Sequence, residues 1–103
     1  MTNAETSNNL DEHRYEAHLD GELAGFIEYQ PSVGLVTLDH TEVDDRFEGH
    51  GVGSAMVRFA LDELRADGSR RVLVRCPFIK SWIRKHPEYA DFLENPAAGA
   101  ADH

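Results

Sequence analysis

Three alternate glycines make the segment most able to do chemistry: Gly49, Gly51 and Gly53 in Arg46-Phe47-Glu48-Gly49-His50-Gly51-Val52-Gly53-Ser54. They stand where a strand pattern hands over to a helix pattern. Glycine tolerates backbone angles and close approaches that other residues resist. The first amides of a helix have no partner inside it, and together with the helix dipole they form a site for phosphate. The chemistry this spacing offers is therefore the binding of a phosphate or diphosphate on backbone N–H groups. On the glycines alone, a tight strand-to-helix turn with no ligand is the competing reading.

Other phosphate motifs fit less well. A Walker A loop requires Lys followed by Ser or Thr after its last glycine, and Val52 follows Gly51 here. A dinucleotide fingerprint starting at Gly49 requires glycine at position 54, which is Ser54.

The elements that must position this loop are legible from periodicity. Arg14 to Leu19 alternates, Asp20-Gly21 signals a tight turn, and alternation resumes from Leu23 to Gln30, so these segments predict a hairpin. Pro31-Ser32 interrupts, and Val33 to His40 reads as a third strand. Val52, Ala55, Met56, Phe59, Ala60 and Leu64 then form one apolar stripe, predicting a helix from about Gly51 to Asp67 that stops at Gly68. Arg71 to Cys76 reads as a short strand, and Pro77 opens a second helix, roughly Phe78 to Lys85. Tyr89 to Leu93 reads as one more turn or a short edge segment. The order is β-β-β-α-β-α, an α/β (α+β) fold with a mixed, mostly antiparallel sheet and helices packed on it. Residues 1–11 read as a disordered tail, 12–95 as one domain and 96–103 as a second disordered tail.

The chain has 103 residues, enough for one domain. Its single cysteine excludes an internal disulfide and a cysteine-rich zinc site, and its histidines lack metal-ligand spacing, so no metal is expected. No apolar run approaches the roughly 18 residues of a membrane span, and the N-terminus has no secretory pattern, so the expected setting is cytoplasmic. A formal net charge of −9 argues against general nucleic-acid binding. The charge is uneven: Arg58 to Lys85 holds eight cations against three acids, a net of +5, and the remainder is −14. Such a basic half suits a compact polyanion.

Arg46-x-x-Gly49-x-Gly51 resembles the Q/R-x-x-G-x-G/A acetyl-CoA motif of the GNAT superfamily. More narrowly, Cys76-Pro77-Phe78 and His86-Pro87-Glu88-Tyr89 resemble two segments of its small single-domain, GNAT-like family, over residues 12–95. The resemblance implies a minimal GNAT fold, acetyl-CoA as cosubstrate and a primary amine as acceptor, on a small molecule, a protein lysine or an N-terminus. It places Gly49, His50, Gly51, Val52, Gly53 and Ser54 around the pyrophosphate, with Arg46 supporting the loop or reaching a phosphate. Lys80 and Arg84, one helical turn apart, are candidates for the adenosine 3′-phosphate. The pantetheine would lie between the strands Val33–His40 and Arg71–Cys76.

Acetyl transfer to an amine requires a base, an oxyanion donor and a proton for the leaving thiolate. His40 is the first candidate base and Glu42 the second, acting through water. Cys76 is the candidate acid, or a nucleophile that takes the acetyl group; Tyr89 is a further candidate acid. Phe78 and Trp82 read as core residues. The alternatives are a non-catalytic acyl-CoA-binding or sensing module, and an interaction domain that has lost its ligand. A monomer or weak dimer is expected, and the acidic surface favours a cationic acceptor such as a protein tail.

Overall fold

The computed structural model describes residues 4–91 and 93. Five strands form one sheet: β1 (Glu5–Asn9), β2 (Arg14–Leu19), β3 (Glu22–Ser32), β4 (Leu35–Val43) and β5 (Arg71–Val74). They lie in chain order across the sheet. The first four form an antiparallel meander, and β5 pairs parallel to β4. A parallel neighbour needs a crossover, and helix α1 (Val52–Asp67) supplies it. Helix α2 (Pro77–Lys85) follows β5, and a 3₁₀ turn spans Pro87–Tyr89.

One layer of side chains joins α1 to the sheet. Tyr15 and Ala17 of β2, Ile27 and Tyr29 of β3, and Val36 and Leu38 of β4 are buried on one sheet face. Val52, Met56, Val57, Ala60, Leu61 and Leu64 of α1 are buried against that face. Helix α2 adds Ile79, Trp82 and Ile83 to the same core, so both helices lie on one side. The opposite face carries Phe26, Glu28, Gln30, His40 and Glu42, and no described helix covers it.

The structure corrects four boundaries. Glu5–Asn9, expected within the disordered tail, pairs as an edge strand with β2. Its sequence has no apolar alternation; it is held by its ladder and by asparagines. Tyr29 Oη donates to Asn8 Oδ1 at 2.7 Å, and Asn9 Nδ2 donates to Glu16 Oε2 at 2.9 Å. The third expected strand starts at Leu35, because Val33 and Gly34 form the turn and Gly34 has φ 74°. That strand then runs to Val43, past the expected end at His40. Strand β5 stops at Val74, and Cys76 caps the start of α2. The Asp20-Gly21 turn is as expected, with φ of 52° and 82° at its two residues. Leu93 forms an isolated parallel bridge with Val72, the edge segment expected near there. The tail expected at 96–103 lies outside the described residues.

Strand β4 carries a bulge. Glu28 pairs with His40 and Tyr29 with Leu38, so Asp39 is one residue too many. Side chains alternate faces along a strand, and an extra residue reverses that alternation. Leu38 faces the helices before the bulge; Thr41 and Val43 face them after it. His40 and Glu42 are turned to the uncovered face.

Candidate functional site

The loop between β4 and α1 is built to leave amides open. Asp44 accepts from the Arg46 amide at 2.9 Å and caps a 3₁₀ turn over Asp45–Phe47. Arg46 also pairs through Nε with Asp44 at 3.2 Å and through Nη1 with Glu22 at 2.9 Å. The hydrogen bonds from Arg46 hold the Asp44 carboxyl below its ordinary range. The chain then turns through Gly49 and Gly51, with φ of 85° and 77°, a left-handed conformation that favours glycine. Gly51 is the N-cap of α1 and offers no side chain to close the helix end. The first helical bond is Ala55 N–H to the Gly51 carbonyl, at 3.0 Å. The amides of Val52, Gly53 and Ser54 therefore have no partner in the helix.

These amides border a cleft of about 440 Å³. Gly49, Gly51, Val52, Gly53 and Ser54 line one wall, and Thr41, Val43, Phe47, Glu48 and Phe78 complete it. The cleft opens where β4 and β5 separate. The ladder between them ends at Leu38 and Val74. The Leu38 carbonyl then takes both the Arg75 amide at 3.0 Å and the Cys76 amide at 3.3 Å, and the chain turns into α2. Beyond Leu38, β4 continues with no strand partner on this side among the described residues. The Asp44 amide bonds the Ala24 carbonyl at 2.8 Å, and Glu42 and His40 pair with Phe26 and Glu28. By the two-residue period of the ladder, Thr41 and Val43 direct their amide and carbonyl groups away from β3, to the edge that β5 has left.

The residues singled out by sequence separate into groups. The glycine-loop residues other than His50 line the cleft. His50 is exposed, and its amide bonds the Phe47 carbonyl at 3.3 Å. Arg46 is committed to Asp44 and Glu22 and does not line the cleft. Lys80 and Arg84 lie on α2, also outside the lining. His40 and Glu42 stand together on the uncovered face, Nε2 to Oε2 3.5 Å, with side chains 54% and 62% exposed. Cys76 is buried, and its Sγ donates to Thr41 Oγ1 at 3.3 Å. The thiol thus sits behind Thr41, which is in the cleft wall. Tyr89 donates to Asp62 at 2.6 Å, and that bond, with burial, raises its pKa. Its proton is directed to α1, away from the cleft.

Thr41, Val43 and Phe78 line the cleft but were not among the site residues expected from the sequence, although Phe78 stands in the Cys76-Pro77-Phe78 segment. The bulge hides the first two. Phe78 looked like a core aromatic, but it is 45% exposed and its ring lies on Gly53. A Cβ at Gly53 would stand 2.8 Å from Phe78 Cζ, so the third glycine lets α2 approach the start of α1. Trp82 is buried, as expected of a core residue.

A family model described as GCN5-related N-acetyl-transferase matches residues 14–92. The ribosomal-protein-S18-alanine N-acetyltransferase from Escherichia coli superposes with TM-score 0.56 at 18% identity, over 70% of this chain and 64% of that one. A ribosomal-protein-alanine N-acetyltransferase from Brucella melitensis biovar Abortus 2308 gives TM-score 0.51 at 24% identity, over 62% of this chain and 50% of that one. These likenesses show the fold, and the chain spans about half to two thirds of those structures. No curated protein matches the sequence.

Proposed function

The chain belongs to the GCN5-related N-acetyltransferase family, and on that premise we propose that it transfers the acetyl group of acetyl-CoA to a primary amine. The observation that carries this reading is the coincidence of two features: amides at Val52–Ser54 with no partner in the helix, and the separation of β4 from β5 at Leu38. The first suits a diphosphate. The second exposes the edge of β4 to an extended, amide-bearing arm, which pantetheine is. Both border one cleft.

Each residue then has a task. The amides of Gly49 and of Val52 to Ser54 hold the diphosphate, while Arg46 braces the loop through Asp44 and Glu22. A backbone N–H of Thr41 or Val43 meets the oxygen of the thioester carbonyl as negative charge develops there. His40, backed by Glu42, takes the proton of the amine on the uncovered face. Cys76 supplies the proton to the departing thiolate through Thr41 Oγ1. Its burial behind Thr41 favours direct attack by the amine over an acetyl-cysteine. Glu28 and Glu42 flank His40 on an open surface, which suits a cationic acceptor such as a basic protein tail.

The test is incubation with acetyl-CoA and a panel of amines, including basic peptides, with free thiol followed over time. Amine-dependent thiol release is the expected result. CoA binding without such release would assign the chain to the other reading, a non-catalytic acyl-CoA-binding or sensing module.

A further inference from the structure

Ser54 lines the cleft as the third residue of α1, and its Oγ accepts a 2.8 Å hydrogen bond from Trp82 Nε1. An indole N–H is a donor only, so the roles in this bond are fixed. The serine oxygen is the acceptor, and its own proton must go elsewhere. A serine inside a helix commonly returns that proton to a carbonyl three or four residues back. For Ser54 those carbonyls belong to Gly51 and His50, at and before the cap, and the Gly51 carbonyl already takes the Ala55 amide. Among the described residues the Ser54 hydroxyl donates to no protein group.

The indole itself is fixed. Trp82 is buried, its ring stacks on His86 at 3.9 Å with a 15° interplanar angle, and the Arg58 guanidinium lies 5.3 Å from it. We propose that Trp82 is a positioning residue for the diphosphate of CoA. By occupying the acceptor side of Ser54 Oγ, it turns the hydroxyl proton toward the cleft, beside the open amides of Val52 and Gly53. A hydroxyl that accepts one bond also donates a stronger one. This rests on the acetyl-CoA reading above.

The test measures CoA affinity by calorimetry for the wild type, Trp82→Phe, Ser54→Ala and the double variant. Pantetheine, which lacks the diphosphate, is the control ligand. Each single change should weaken CoA binding about five- to tenfold, the worth of one hydrogen bond. The double variant should bind no more weakly than Ser54→Ala, since the two act through one group. Pantetheine binding should not move, and in turnover the KM for acetyl-CoA should rise with kcat unchanged. Trp82 is the chain's one tryptophan, so CoA should also shift the wild-type emission, and Ser54→Ala should remove most of that shift. The emission experiment stands even if Trp82→Phe does not fold. Unchanged CoA affinity in Trp82→Phe, losses that multiply in the double variant, or emission blind to CoA would overturn the role of Trp82 alone. A wild-type chain that binds no CoA would overturn the acetyl-CoA reading with it.

Discussion

Replacing Gly53 by alanine separates stability from ligand binding. The new methyl would stand 2.8 Å from Phe78 Cζ and 3.1 Å from Cε2, where ordinary contact begins at 3.4 Å, so the ring must withdraw by about 0.6 Å. Phe78 is 45% exposed, so it has room to do so. The motion is a tilt of roughly 10° in its side-chain torsions, small against the ~30° departure that costs about 0.5–1.5 kcal/mol. Against that, alanine in place of glycine in a helix gains up to about 1 kcal/mol. Gly53 has no left-handed φ to lose, so the helix accepts alanine without backbone strain. The net expectation is a protein as stable as the wild type or more so, by up to about 1 kcal/mol, which raises Tm by roughly 4–8 °C at most. Binding should move the other way. The methyl and the displaced ring both intrude on the cleft, and CoA affinity should fall by about tenfold, or about 1.4 kcal/mol. Thermal denaturation reads the first quantity and calorimetry the second. A loss of stability above about 1 kcal/mol would show that the ring is locked, contrary to this packing argument. Unchanged CoA affinity would show that Gly53 and Phe78 do not border the ligand.

Gly51→Ala and Gly68→Ala place alanine at φ 77° and 70°; each should cost about 1 kcal/mol in denaturant titration, but only the first should weaken CoA binding. His40→Ala, which removes the base, and Cys76→Ala, which removes the proton donor, should each lower kcat about a hundredfold or more without raising the KM for acetyl-CoA. Acetylated Cys76 in intact-protein mass spectrometry during turnover would refute direct attack. Burial pushes the Glu16 carboxyl up, but hydrogen bonds from Arg14 and Asn9 outweigh it, leaving its pKa below the ordinary 4.5. A carboxyl depressed on folding stabilises the protein above its unfolded value and ceases to as pH falls through the folded one. Tm should therefore drop below about pH 4.5, less steeply in Glu16→Gln, which should also be about 1–2 kcal/mol less stable at neutral pH.

What could be read from sequence was whatever repeats or punctuates. The stripe from Val52 to Leu64 marked α1, although Val57 and Leu61 were left out of it and are fully buried. Asp20-Gly21 marked the first turn, and the glycine loop marked one wall of the cleft. The losses have physical causes. Strand β1 is polar throughout and is held by backbone and asparagine bonds, which leave no hydropathy trace. Val33 looked like a strand residue but is fully exposed in a turn made by Gly34. Thr41 and Val43 were read as loop because the Asp39 bulge breaks the alternation that announces a strand. Arg46 was open between two tasks, and one of its partners, Glu22, is brought to it by the fold from a distant hairpin, while Asp44 stands two residues back.

Asp39 works like a single inserted letter that changes the reading of everything after it. Were it drawn into the ladder opposite Glu28 instead of bulged out, the last four side chains of β4 would exchange their outlook. The imidazole and carboxylate would then enter the space beside Cys76, and a hydroxyl and an isopropyl group would lie on the uncovered face. Two chemically different surfaces thus lie one register step apart, and a change that preserves every side chain of the cleft could still exchange them by flattening that one bulge.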